Sequence, residues 1–191
     1  IAREMVGGGT DLVRADFHHT LAANVEALLL VGGAAAWNGT GNGLANTLTG
    51  NAGANVLSGL GGGDILSGLG GADTLDGGDG NDQLTGGGGA DAFVFTTALG
   101  AGNIDAIADF NVAADTIHLA SAIFTALSVG ALGAGAFHVG AAATTAAHRI
   151  IYDSATGALS YDADGTGALA AQQFATLAAG LALTNADFLV I

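Results

Sequence analysis

Cysteine, proline and lysine are all absent from this 191-residue chain. Without cysteine no disulfide can staple the fold, although secretion is not thereby excluded. Without lysine, and with three arginines (Arg3, Arg14, Arg149) facing 17 acidic residues, the formal charge is −14. A basic patch for nucleic acid is therefore missing, an anionic membrane surface is disfavoured, and the chain repels itself unless cations neutralise it. Aromatic residues make up only 6%, which argues against a core of interlocking large side chains. The start at Ile1 has no basic stretch followed by an apolar run and a cleavage site, so no signal peptide is read there and a fragment or processed product is expected. Two stretches lack Asp, Glu, Lys and Arg, Thr116 to His148 and Gly165 to Ala186. Their apolar residues are mostly Ala and Gly broken by polar ones, so no transmembrane segment is expected.

What the chain has instead is glycine, 34 residues of it, and a repeat. Six units of nine follow without insertion: GNGLANTLT from Gly41, GNAGANVLS from Gly50, GLGGGDILS from Gly59, GLGGADTLD from Gly68, GGDGNDQLT from Gly77 and GGGGADAFV from Gly86. Position six reads Asn46, Asn55, Asp64, Asp73, Asp82, Asp91, and position eight Leu48, Leu57, Leu66, Leu75, Leu84, Phe93. Each unit reads as a glycine-rich turn followed by a short strand whose middle side chain points inward. Two units make one coil, and stacking is required because one unit cannot bury its leucine alone. The expected fold is all-β: a parallel β-roll, or β-solenoid, of about three coils with N-terminal cap strands and a C-terminal β-rich capping region containing one short helix.

The turn GGxGxD has a chemical logic. Glycine removes the Cβ, so several carbonyl oxygens can face one point, and the aspartate adds a carboxylate. Hard oxygen donors in that number suit Ca²⁺ rather than Mg²⁺, which keeps its waters, or zinc, which prefers nitrogen and sulfur. On these units the sequence resembles the repeats-in-toxin (RTX) family, whose nonapeptide is GGxGxDxUx. The resemblance implies Ca²⁺ held between stacked turns, with Asp64 paired with Asp82 on one side and Asp73 with Asp91 on the other. Gly59, Gly61, Gly68, Gly70, Gly78, Gly80, Gly87 and Gly89 would supply the turn backbone. Asn46 with Asp64 and Asn55 with Asp73 would be weaker sites, because an amide brings oxygen without charge.

Residues 1–40 are read as N-terminal cap or spacer strands, 41–94 as the nonapeptide roll, and 95–191 as a C-terminal capping and secretion-signal region. DLVRADF and NVEALLLV are strand-like, with a turn around Ala22 to Asn24. DAFVF, NIDAIADF and DTIHLAS alternate apolar and polar residues and should finish the sheets. They resemble the segment after RTX repeats in serralysin-type proteases, which implies a further calcium site at Asp105 and Asp109, with Asp115. RIIYDSATGALSYDADG reads as a hairpin with turn SATG, Ala168 to Ala179 as a short helix, and Asp187 to Ile191 as a final strand. Trp37 should pack on the first coil.

Other motifs fail. DADGTG at Asp162 would put Ser160 and Ala171 where an EF-hand needs Asp and Glu, so it is a tight acidic turn. No HExxH, GxSxG or lysine-bearing phosphate loop occurs, and His18, His19, His118, His138 and His148 have no zinc spacing. The chain is not expected to be an enzyme. Stacked carboxylates should keep the array unfolded until calcium binds outside the cell. NADFLVI resembles the uncleaved tails of type I (ABC-transporter) export substrates. The expectation is an extracellular bacterial structural module of a surface layer, adhesin or filament, with calcium ions, the ABC-type export machinery and further copies or the cell surface as partners. The alternative is the secretion and folding tail of a serralysin-like protease or other RTX hydrolase. A soluble calcium buffer would leave the flanking segments without a role.

Overall fold

Every nine residues from Gly41 to Val94 the chain makes a glycine turn and a strand, and successive strands fall alternately into two sheets. A computed structural model describes residues 9–191; the first eight residues of the expected 1–40 segment, Arg3 among them, lie outside the described residues. The N-terminal strands are β1 (Leu12–Ala15), β2 (His19–Thr20), β3 (Ala27–Leu30) and β4 (Gly39–Asn42). The repeats give β5 (Thr47–Thr49), β6 (Val56–Leu60), β7 (Ile65–Ser67), β8 (Thr74–Asp76), β9 (Gln83–Thr85) and β10 (Ala92–Phe95). Then come β11 (Asp105–Ile107), β12 (Thr116–Leu119), β13 (Gly130–Ala131), β14 (Phe137–Val139), β15 (Ile150–Asp153), β16 (Ala158–Tyr161), β17 (Gln172–Thr176) and β18 (Phe188–Val190). One sheet has the order β1-β3-β5-β7-β9-β11-β17-β16-β15-β14, the other β13-β18-β12-β10-β8-β6-β4-β2.

The register is that of a roll. Leu48 pairs with Leu66 and Leu66 with Leu84 in one sheet, Leu57 with Leu75 and Leu75 with Phe93 in the other, all parallel. These six side chains are fully buried, because the period-two pleat sends position eight inward while positions seven and nine, the buried Val94 apart, face away from the stack. The stacks run on beyond the repeats: Leu28 pairs with Leu48, Leu84 with Ile107, Phe93 with Ile117 and Ile117 with Phe188. The roll is thus longer than the three coils of the array, since the N-terminal strands and β11, β12 and β18 are laid onto the same sheets. At Gly39, aligned with Leu57, a Cβ would come within 2.9 Å of Leu28 and 3.1 Å of Leu57. Neighbouring leucines already fill that space.

The C-terminal region closes the roll differently. β15 and β16 form the expected antiparallel hairpin, with Gly157 left-handed at φ 82°. The segment expected as helix, Ala168 to Ala179, is instead built around β17, parallel to β11 and antiparallel to β16. The slot between them would leave unpaired backbone groups on both sides, and filling it also buries Phe174 and Ala175; that gain overrides the helix propensity of an alanine-rich run. The only helical turns among the described residues are two 3₁₀ turns, Ala134–Ala136 and Asn185–Asp187. Here too lies the interlocked aromatic core that the low aromatic content argued against. Phe174 packs edge-on against Phe95 at 5.0 Å and Phe124 at 5.1 Å, and Phe124 meets Tyr161 at 5.2 Å. Trp37 packs against the core beside His18. No helix among the described residues is long and apolar enough to cross a membrane.

Candidate metal centre

Because units n and n+2 stack, the position-six residues fall into two columns, Asn46-Asp64-Asp82 and Asn55-Asp73-Asp91. Each carboxylate binds the coil before it: Asp64 Oδ1 accepts from Asn46 N at 2.7 Å, Asp82 Oδ1 from Asp64 N at 2.7 Å, Asp73 Oδ1 from Asn55 N at 2.7 Å and Asp91 Oδ1 from Asp73 N at 2.8 Å. The structure therefore brings together the pairs Asp64 with Asp82 and Asp73 with Asp91.

The second oxygens carry the chemistry. Asp64, Asp73, Asp82 and Asp91 are buried, and Oδ2 of each has no hydrogen-bond partner. Four buried carboxylate oxygens without a donor is an arrangement a native fold tolerates only where another charge completes it. Asp64 Oδ2 lies against Gly59 together with the carbonyl oxygen of Gly77, and Asp73 Oδ2 lies against Gly68 together with that of Gly86. A carboxylate and a carbonyl from consecutive coils thus converge on one point. No group of three or more His, Asp or Glu side chains among the described residues could hold a metal, so a cation in these turns takes most of its ligands from the backbone. That is calcium chemistry, with oxygen donors in flexible number.

The turn backbone explains the glycines. In the four Asp turns, positions two and four are left-handed: Leu60 at 77°, Leu69 at 73°, Gly78 at 96° and Gly87 at 95°, then Gly62 at 115°, Gly71 at 112°, Gly80 at 138° and Gly89 at 147°. At Gly80 and Gly89 a Cβ would also collide with the carbonyls of Gly62 and Gly71 one coil earlier. Gly61 and Gly70 bridge to Asp79 and Gly88 in the next coil, which keeps the turns in register.

Electrostatics agree with the orphaned oxygens. Burial pushes the Asp64 and Asp73 carboxyls up to about 6, and the nearby charges of Asp82 and Asp91 add to it against the opposing hydrogen bonds from Asn46 and Asn55. Asp82 and Asp91 are raised by burial as well. These are the shifts of anions that lack a counter-charge.

Beyond the repeats the columns continue. Asp105 is buried and its Oδ1 accepts from Asp82 N at 3.1 Å; burial raises its carboxyl to about 8. Asp115 Oδ1 accepts from Asp91 N at 3.0 Å. Asp109 lies apart on the surface, its two oxygens accepting from Gly86 N at 3.0 Å and Gly87 N at 2.8 Å. Asp105, Asp109 and Asp115 thus occupy three different places instead of one cluster. Sequence reasoning passed over the asparagines that finish the turns, such as Asn103, whose Oδ1 accepts from Gly80 N at 2.8 Å, and the position-two pair Asn42 and Asn51. The recurrence of Gly-Asn at the start of two units was the available signal. Elsewhere, Asp162 Oδ1 caps its own turn by accepting from Asp164 N and Gly165 N, and His138 stacks on His148 at 4.3 Å.

Comparison with known proteins points the same way. The family described as RTX calcium-binding nonapeptide repeat (4 copies) matches residues 40–75 and again 58–93. Among solved structures, the AlgE6R3 subunit of the Azotobacter vinelandii mannuronan C5-epimerase is similar, with 28% identity over 77% of this chain and 78% of that one and a TM-score of 0.52. No curated protein matches the chain. The nonapeptide repeats are matched over the very turns whose carboxylates lack a partner: residues 40–93 carry calcium-binding RTX nonapeptide repeats, and the chain folds as a β-roll similar to that subunit.

Proposed function

We propose that the chain is a calcium-triggered folding module of a type I secreted bacterial protein, working outside the cell and contributing to a surface layer, adhesin or extracellular filament. The observation that carries the reading is the set of four buried, unpartnered carboxylate oxygens. In the low calcium of a cytosol they repel one another and the glycine turns are entropically costly to order, so the roll stays open for export; outside, binding to the folded state alone drives folding. Asp64, Asp73, Asp82 and Asp91, with the turn backbones of Gly59, Gly61, Gly68, Gly70, Gly78, Gly80, Gly87 and Gly89, would hold the ions, and Asp105 and Asp109 would extend the set at the C-terminal end. On this reading 1–40 serve as cap, 41–94 as the calcium roll and 95–191 as capping region with an export signal. Homotypic stacking would use the sheet edges at β1 and β14. Any chemistry of the parent protein is assigned to other segments.

A second reading has its own support. The similar AlgE6R3 subunit belongs to an enzyme, so this roll can equally be the secretion and folding tail of an RTX enzyme such as a serralysin-like hydrolase.

The test is a calcium titration of the chain followed by circular dichroism. The disordered spectrum in chelator should become β-rich with Ca²⁺ and not with Mg²⁺, and Asp73→Ala or Asp82→Ala should each raise the calcium midpoint. A β-rich spectrum in excess chelator, or unchanged midpoints, would sink the proposal.

A further inference from the structure

The two asparagine turns are closed where the aspartate turns are open. The Asn46 side-chain oxygen lies against Gly41 as Asp64 Oδ2 lies against Gly59, so the two atoms occupy equivalent places. Asp64 Oδ2 has no partner, whereas Asn46 Oδ1 accepts from Asn42 N at 2.7 Å. The rest of the turn follows suit. Asn42 Oδ1 accepts from Leu44 N at 2.9 Å and from Asn46 Nδ2 at 3.3 Å; Asn46 Nδ2 also donates to Val25 O at 3.2 Å, and Asn42 Nδ2 to Ala22 O at 2.9 Å and Val25 O at 2.7 Å.

The next unit repeats the pattern. Asn55 Oδ1 accepts from Asn51 N at 2.8 Å, and Asn51 Oδ1 accepts from Gly53 N at 2.7 Å and Asn55 Nδ2 at 3.3 Å. Asn55 Nδ2 reaches Trp37 O at 2.6 Å and Asn51 Nδ2 reaches Ala35 O at 2.9 Å. The backbone switches with the side chains. Asn42 and Asn51 stay out of the left-handed region that Leu60, Leu69, Gly78 and Gly87 occupy at the same position, which is what lets their N–H reach the position-six oxygen. Leu60 and Leu69 accept a left-handed conformation that is unfavourable for a residue with a Cβ, and their turns leave the carboxylate free.

A third closed turn lies at the other end. Asp115 Oδ2 accepts from Asn111 N at 2.8 Å, and Asn111 Oδ1 from Ala113 N at 3.1 Å. Its position-six equivalent is an aspartate, so closure follows the asparagine four residues earlier and not the charge of the last residue.

We propose that Asn42 with Asn46, and Asn51 with Asn55, form amide clasps that stand in for Ca²⁺. The clasped turns exclude the ion, Asn111 with Asp115 ends the second column in the same way, and residues 41–58 keep their fold when calcium is removed, as a template on which the open turns close. An amide NH₂ satisfies carbonyl oxygens of the preceding coil without bringing charge or needing an ion, so these turns have no orphaned carboxylate to neutralise.

The inference rests on the calcium-coupled folding proposed above, and two measurements on the full chain separate the two. Hydrogen exchange in excess chelator should leave amides of 41–58 protected while those of 59–94 exchange rapidly. Equal, rapid exchange in both segments would overturn the clasp and leave coupled folding standing; equal protection in both would overturn coupled folding and leave the clasp to the ion count. That count, by native mass spectrometry in calcium, should rise above the parent value when the turns are opened by Asn42→Gly, Asn46→Asp, Asn51→Gly and Asn55→Asp together. It should fall, with the β-rich spectrum kept, when two open turns are closed by Leu60→Asn, Asp64→Asn, Leu69→Asn and Asp73→Asn. An unchanged count in both variants would overturn the clasp.

Discussion

In the roll each turn from Gly59 to Asp91 buries a carboxylate beside a glycine, and each strand buries one large side chain in a single-file stack. In the C-terminal region the tyrosine hydroxyls of the core are satisfied from within: the Tyr152 hydroxyl donates to Ala178 O at 2.8 Å and accepts from Leu181 N at 3.1 Å, and the Tyr161 hydroxyl accepts from Ala126 N at 2.7 Å. Phe95, Phe124, Phe174 and Tyr161 interlock above the last coils. The contrast teaches where an ion is needed. A stack of leucines supplies hydrophobic stabilisation, but the same coils bury like charges, and only a cation offsets them; the aromatic cap carries no such charge in its core.

The comparison can be broken from either side. Phe174→Ala removes the ring that joins Phe95 to Phe124 and should lower the stability of the calcium-loaded chain by about 3–5 kcal/mol, measured by denaturant unfolding, with the bound-ion count unchanged. A loss of ions would mean that cap and turns are not separate in chemistry. Leu75→Ala, in the middle of a stack, should cost about 2–5 kcal/mol in calcium, also without loss of ions, and should have little effect on residues 59–94 in chelator, where exchange should already be fast.

Asp82→Ala should act on the ions themselves, lowering the bound count and raising the calcium midpoint about tenfold, which corresponds to roughly 1.4 kcal/mol. A full ion count in that variant would dissociate the column of carboxylates from metal binding. The smallest effect is that of pH. The folded chain holds protons on Asp64 and Asp73 up to about pH 6 and on Asp105 up to about 8, against an ordinary value of 3.8. Protonation therefore stabilises the calcium-free fold, fully below the ordinary value, and that stabilisation is lost as pH rises through 6 to 8. In metal-depleted buffer the β-rich signal should be stronger at pH 5 than at pH 7.5; the opposite order would contradict the burial of uncompensated carboxylates.

Much of this was legible in the sequence because a strict repeat with one inward leucine leaves few ways to bury it. The inward stack, the two columns of position-six residues and the Asp64–Asp82 and Asp73–Asp91 pairs all follow from units n and n+2 lying above one another. What was not legible depended on partners distant along the chain. Gln172–Thr176 became a strand because β11 and β16 left a slot for it. A few phenylalanines and tyrosines, scattered from Phe95 to Phe188, made an aromatic core because the cap gathers them at one end.

The asparagine turns mark the division most clearly. Sequence by itself determined that Asn46 and Asn55 stand in the aspartate register, because nine-residue spacing fixes which residues stack. Only tertiary structure decided that they are closed turns: closure needs the carbonyls of Val25 and Trp37, 21 and 18 residues away, and a backbone angle at Asn42 and Asn51 that spacing does not encode.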